Sequence, residues 1–302
     1  AAGAIDPNIN AISTLFWERN WLKLYEEDFV RGSYRQKLSD KFSLALGAGW
    51  SERHQLFNNA DRVWFDNDDR VFMPNAPANI ELGDISFPRH HAFTTFIEAE
   101  LKPFIKYRVR NGNKRMVPYS SPAFKMQYRQ GIEGPFNSVV NFSQVQLNVK
   151  HRVEFGVRGR LDFDLFAGSF LNNEQLYFMD FQHFPGNRTV LQASDPVGSY
   201  RLLDYYFNST MQDYVGGFAF YQFRKFLLTR IFEVQLLGLK ENILFNYLHT
   251  GATGHYMEAG YSLDNIFRFF RVEAVASFVD GKYQDFGVRV GISTSIENLV
   301  NF

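Results

Sequence analysis

Seven histidines, an acidic run at Asp66-Asn67-Asp68-Asp69 and long rows of alternating charge are the features of this 302-residue chain with the means to do chemistry. Metal ligation is the first candidate. The acidic run offers carboxylates to Ca²⁺, but it lacks the glycine and distal glutamate of a calcium loop and reads as a solvated acidic tip. His90-His91 offers two adjacent imidazoles, and a zinc site there needs further ligands that the local spacing does not supply. Hydrolysis is the second candidate. His54 and His249 fall near strand ends, where barrel hydrolases carry catalytic groups, but spacing pairs neither with a nucleophile. No Gly-x-Ser-x-Gly, His-Glu-x-x-His or phosphate-loop pattern occurs. The expectation is a protein that is not an enzyme and that carries no metal and no cofactor.

The rows of charge have a different logic. In residues 152–167, RVEFGVRGRLDFDLFA, the side chains Val153, Phe155, Val157, Leu161, Phe163 and Leu165 alternate with Arg152, Glu154, Arg158, Arg160, Asp162 and Asp164. Successive side chains of a strand point to opposite faces, so this predicts one strand with an oily face and a charged one. A strand from 92 to 110 repeats the pattern, with Glu98 and Glu100 first and Lys106, Arg108 and Arg110 later; the last strand sets Asp285 before Arg289. Taken as the lining of a lumen, these charges predict an acidic outer end and a basic inner end. The competing reading has them pair across neighbouring strands and fill a closed barrel. Tyr177, Phe178, Asp180, Phe181, His183 and Phe184 belong to an irregular stretch, 168–213, whose length and aromatic content predict a plug folded inward rather than a packed surface loop. The wall it should touch is Arg158, Arg160, Asp162 and Asp164.

The elements that must position these groups are strands. Residues 1–27 have no clean period and read as a loop or short helix, and alternation then recurs through 28–302 as a single domain of about eleven strands in hairpin order. With the C-terminus placed on the inner side, the outer connections are 55–91, 131–141, 168–213, 250–254 and 280–282. The inner ones are 39–41, 110–120, 150–152, 225–239 and 263–269. The fold class expected is all-β, an antiparallel transmembrane β-barrel, because strand after strand keeps one charged and one oily face; a large soluble sandwich would show shorter strands and some oily on both faces. An odd strand count does not close an ordinary antiparallel barrel, so N-terminal strands are expected to be missing from this chain, which opens Ala-Ala-Gly and reads as a trimmed product.

Composition agrees. Aromatic residues make up 17% of the chain, with 33 Phe, which suits the girdles of a membrane barrel. Mean hydropathy is −0.26 and no apolar run is long enough for a transmembrane helix. A net charge of zero and a pI near 7.3 give no argument for nucleic acid as a partner. Zero cysteines exclude disulfide scaffolds and thiolate metal sites.

The segments NWLKLYEEDFVRGSYRQKL, YRVRNGNKRMVPYSSPAFKMQYRQGI, NNEQLYFMDFQHFPGN, LLDYYFNSTMQDYVGGFAFYQFRKFLLTRI and HYMEAGYSLDNIFRFFRVEAVASFVDGKYQDFGVRVGI resemble a Bacteroidetes outer-membrane family of unknown function. That family is marked by an N-terminal carboxypeptidase-regulatory-like domain. The resemblance covers nearly all of residues 15–295 and implies a C-terminal barrel in the outer membrane of a Gram-negative bacterium, preceded in full-length members by a periplasmic domain absent here. It also implies contact with outer-membrane lipid or lipopolysaccharide and with other outer-membrane or periplasmic proteins. In topology the chain is similar, more distantly, to the outer-membrane assembly and two-partner secretion superfamily. Those barrels have roughly sixteen strands and a sixth outer loop that enters the lumen with an Arg-Gly-Phe-type motif. Residues 168–213 occupy the matching place and contain no such motif. The role these resemblances imply is a subunit in outer-membrane biogenesis, secretion or transport; a structural barrel with a plugged lumen in a larger envelope complex is the alternative, and a barrel hydrolase the remote one.

Overall fold

The computed structural model describes residues 7–57, 64, 72–188, 191–192 and 197–292. The acidic run Asp66–Asp69 lies outside them. A helix, α1 (Pro7–Trp17), starts on a proline whose fixed φ suits the first helical position. The strands follow: β1 (Tyr25–Lys37), β2 (Phe42–Gln55), β3 (His90–Leu101), β4 (Tyr107–Arg110), β5 (Asn113–Met116), β6 (Ala123–Gly131), β7 (Asn141–Glu154) and β8 (Gly159–Gln175). Then come β9 (Leu191–Gln192), β10 (Tyr214–Phe223), a short helix α2 (Phe232–Leu236), β11 (Lys240–Thr250), β12 (Gly254–Ile266), β13 (Phe270–Val279) and β14 (Lys282–Ile292).

Eleven of these form one antiparallel sheet in the order β1-β2-β3-β6-β7-β8-β10-β11-β12-β13-β14, with β9 added in parallel at the β14 edge. The expected all-β, eleven-stranded antiparallel architecture is therefore present. Among the described residues the sheet is not closed: β1 pairs only with β2.

The polarity of the sheet is inverted relative to a soluble sandwich. Cross-strand partners build an apolar belt, Leu44–Ala99–Met126–Leu147–Ala167–Val215, in which each residue faces the next across a ladder. This face is exposed, with Ile97 at 54% and Leu147 at 53%, whereas on the opposite face Glu258 is 0% and Arg271 1% exposed. Apolar groups face outward and charged groups inward. An exposed apolar surface of this extent is far larger than a water-soluble monomer carries.

The core lies on the inner face, and a connection rather than a second sheet completes it. Phe184, Val197, Tyr200 and Leu203, from the 176–213 segment, pack on Tyr214, Phe218 and Phe220 of β10, Leu244 and Leu248 of β11, Tyr256 of β12 and Val275 of β13. A second cluster joins Ala92, Val140 and Phe142 to Phe170, Leu176 and Tyr177.

Three strand boundaries differ from the expected ones; the irregular stretch expected from 168 begins later, because β8 continues to Gln175. The stretch 152–167 is not one strand: β7 ends at Glu154, residues 155–158 turn, and β8 begins at Gly159. Val153, Phe155 and Val157 keep the alternation running through the turn, so hydropathy conceals it. Gly156, at φ 59°, supplies the left-handed conformation the reversal needs. The expected strand 92–110 likewise stops at Leu101. Pro103 has no amide hydrogen to donate to a ladder, and residues 107–110 instead pair with 113–116 in a separate hairpin.

Tight contact between two neighbouring strands of the wall leads to a test. A Cβ at Gly168 on β8 would lie 2.2 Å from the hydroxyl oxygen of buried Tyr214, whereas one at Gly32 meets nothing within 4 Å. Gly168→Ala is expected to lower stability by about 1–3 kcal/mol and Gly32→Ala to change it by less than about 0.5 kcal/mol, read by denaturant unfolding in detergent micelles. Equal effects at the two positions would contradict the packing.

Candidate functional site

The inner face and the segment lying on it form the candidate site, and two buried charged anchors join them, with a more exposed third link from Arg188 to Asp285 of β14 at 2.5 Å. At the first, Arg53 of β2 sends Nη1 to both carboxylate oxygens of Asp180, each at 2.9 Å. Arg53 is set by Ser51, whose Oγ accepts from its Nε at 3.2 Å, and by the Glu27 carboxylate 3.6 Å away. Arg129 of β6 donates to the Asp180 backbone carbonyl. Asp180 closes a 3₁₀ turn, Phe178–Asp180, and accepts from the Tyr177 amide at 3.3 Å. The Tyr177 ring stacks on His90 at 3.7 Å between centroids.

The second anchor is Arg201, which is fully buried. Its backbone amide donates to both oxygens of Glu258 at 2.8 Å, and the Leu202 amide adds a bond of 2.7 Å. Asn246 of β11 and the Tyr256 hydroxyl each donate to the same carboxylate at 2.7 Å. The Arg201 side chain reaches Glu273 of β13 at 3.0 Å and Ser199 Oγ at 2.8 Å. Glu273 is also 3.5 Å from Arg271, which donates to Asp264 at 2.8 Å. Buried charges are tolerated only when paired and hydrogen-bonded, and Arg201 with Glu273 meets both conditions.

The outer connection between β2 and β3 holds the segment from the other side. Asn79 donates to the backbone carbonyls of Tyr206, Phe207 and Ser209, and the Ile80 amide donates to the Phe207 carbonyl at 2.9 Å. Glu81 accepts from the Thr210 hydroxyl and from the Met211 amide at 3.1 Å.

Of the charges expected to line a lumen, Glu98 and Glu100 on β3, Arg152 on β7, Arg160, Asp162 and Asp164 on β8, and Asp285 and Arg289 on β14 lie on the inner face. Lys106, Arg108 and Arg110 do not, because β3 has ended before them; they are exposed in or beside the β4–β5 hairpin. Arg158 is exposed in the β7–β8 turn.

The charges are not sorted along the axis. Glu98 lies between Arg35 at 3.1 Å and Lys125 at 2.8 Å, Asp162 bridges Arg152 and Arg160, and Arg289 stands opposite Glu273 in the β13–β14 ladder. Opposite signs interleave at each level, so the expected acidic-to-basic gradient is absent from these groups.

Of the six segment residues, Phe178, Asp180, Phe181 and Phe184 are buried and Tyr177 and His183 partly so. The segment's charged anchors meet Arg53, Arg129, Glu258, Glu273 and Asp285 rather than Arg158, Arg160 and Asp162, and Asp164, the fourth residue of the expected wall, accepts from Asn148 of β7. Sequence reasoning missed Arg201 and its two glutamates. Glu258 had a readable signal, since it alternates with Met257, Ala259 and Tyr261; Arg201, in an aperiodic stretch, had none.

The histidines separate. His90 points inward and His91 outward, where its ring stacks on Trp50. His249 Nδ1 lies 2.9 Å from the Gly254 carbonyl oxygen, and its ring stacks on His255. His183 sits outside the strands against Ser209, 2.8 Å from its Oγ. Burial first, and Arg129 second, push its pKa down from 6.5 to about 3.

The undocked segment therefore takes up a proton that the docked segment refuses. Docking is at full strength above about pH 6.5 and weakens as the pH falls towards 3. Thermal melts at pH 7 and pH 4 should show a smaller drop for His183→Asn than for the native chain. Parallel drops would remove His183 as the responsible group.

The C-terminal domain of a family of unknown function, DUF5686, matches residues 1–263. No curated protein matches the sequence. Among solved structures, the chain is similar to the crystal structure of BamA from Haemophilus ducreyi lacking POTRA domains 1–3, at 9% identity and a TM-score of 0.49. The likeness covers 89% of this chain and 54% of that one, so the chain spans about half the length of the structure it matches.

Proposed function

We propose a function for a chain that belongs to the family of unknown function DUF5686, whose C-terminal domain it matches: it is an integral β-barrel protein of a Gram-negative outer membrane. There it serves as a subunit in biogenesis, secretion or transport. The observation carrying this reading is the inverted polarity of the sheet, an apolar belt outside and charged, segment-filled walls inside. A bilayer satisfies the outer belt as water does not, and between β2 and β13 each strand has a ladder on both sides to satisfy its backbone. Its partners on this reading are outer-membrane lipid, lipopolysaccharide and neighbouring envelope proteins, and it catalyses no reaction.

The anchored segment supports a closed resting state. Arg201 with Glu258 and Glu273, and Arg53 with Asp180, hold it at separate points of the wall, so opening requires both buried ion pairs to break. Loss of one partner from such a pair costs about 3–5 kcal/mol. A gate of this kind suits a transport or secretion subunit. The alternative, a scaffold barrel whose segment never leaves, is favoured by the three-sided grip that Asn79 and Glu81 complete.

The absence of cysteine makes labelling clean. In intact outer membranes, Leu147→Cys should resist a water-soluble maleimide while Ala78→Cys, exposed on the outer connection, reacts; comparable labelling of both would sink the membrane assignment. In planar bilayers the native protein should be closed, and the doubly substituted Arg201→Ala, Asp180→Asn protein should conduct. A variant that folds and stays silent favours the scaffold reading.

A further inference from the structure

On the outward face, three adjacent strands bring together side chains that sequence spacing leaves apart. Asp28 of β1 stands opposite Glu52 of β2, and Glu52 stands opposite His91 of β3. His54 lies two positions along β2, on the same face as Glu52. Donor atoms of Asp28, Glu52 and His54 all lie within 4.8 Å of one another. Glu52 Oε1 is the focus: His54 Nε2 is 3.9 Å from it and His91 Nε2 is 4.0 Å.

We propose that Asp28, Glu52, His54 and His91 form a binding site for one divalent transition-metal cation of the zinc class. The donor set is two imidazoles and two carboxylates, whose summed charge neutralises a dication. Imidazole suits zinc and its transition-metal neighbours, whereas Ca²⁺ takes six to eight oxygens. With metal–ligand bonds of about 2.0–2.1 Å, neighbouring donors of a zinc tetrahedron are about 3.3 Å apart. The separations among Asp28, Glu52 and His54 therefore close by side-chain rotation, and His91, which approaches Glu52 at 4.0 Å, must turn further to join them.

Two neighbours fit the assignment. The His91 ring stacks on Trp50, 5.4 Å between centroids and 22° between planes, which holds the imidazole plane. Arg89 donates its Nε to Glu52 Oε1, the same oxygen that faces both histidines. In the metal-free protein that guanidinium supplies the positive charge the cluster calls for. Its side chain is 65% exposed and free to swing into solvent when a metal takes its place. The site stands at the outer end of the sheet, one pleat beyond Trp50, and does not depend on the membrane reading.

The test uses the native protein in detergent micelles, stripped with chelator and titrated with Zn²⁺ by calorimetry and with Co²⁺ by absorption and tryptophan emission. One zinc should bind per chain. Co²⁺ should give the intense visible bands of four-coordination and quench an emission component that Trp50→Phe removes. His54→Ala and His91→Ala should each weaken binding by about tenfold or more, with Asp28→Asn as a milder variant. Arg89→Ala should tighten binding, because a competing cation is gone; a mere surface ion pair predicts no such gain. Zinc that binds the His54→Ala, His91→Ala double variant as well as the native chain, or that binds neither below millimolar concentration, overturns the proposal.

Discussion

Glu258 of β12 and Glu273 of β13 both face inward, four residues apart along their shared ladder, with almost no exposure to solvent. A carboxylate taken out of water must find donors or lose its charge, and the sheet alone does not supply enough of them. Asn246, Tyr256 and Arg271 provide some; the backbone amides of Arg201 and Leu202 and the Arg201 guanidinium provide the rest. The demand of two glutamates thus brings a long connection down onto the wall. Once Arg201 is placed, Tyr200 and Leu203 beside it fall into the apolar patch of β10 and β11 and form the core.

The same constraint explains the arrangement at the other end of the segment. Asp180 would be a buried charge on a mobile connection without Arg53 and Arg129, which are inward-facing because β2 and β6 alternate. The segment is therefore pinned near its start by a carboxylate that it contributes, and near its middle by an arginine that it contributes. Opposite polarity at the two anchors prevents them from exchanging partners. The outer connection carrying Asn79 and Glu81 then closes over residues 206–211, so displacement of the segment requires movement of both connections.

Alternation made the faces legible. Val145, Leu147 and Val149 against Gln144, Gln146 and Asn148, or Glu98 and Glu100 against Ile97 and Ala99, can be assigned from the sequence because a strand repeats every two residues. The same regularity hid two boundaries. A turn that keeps parity, as at 155–158, leaves no break in the pattern, and Gly156 is its sole local sign. Tyr107 and Val109 alternate with arginines whether they extend β3 or pair with β5. Pro103 is the residue that decides, by having no hydrogen bond to offer.

The sequence by itself determined that this chain forms long amphipathic strands, which rows of each point the same way, and that 168–213 is the connection to watch. These are local properties, carried by the two-residue period and by aromatic content. Only the tertiary structure decided which charges meet. Glu98 with Arg35 and Lys125, Asp180 with Arg53, Arg201 with Glu258 and Glu273, and His91 with Glu52 each depend on ladder register or on the path of an aperiodic segment. A shift of one residue in register would send the strand side chains among these to the other face. Periodicity specifies a face, and register chooses a partner.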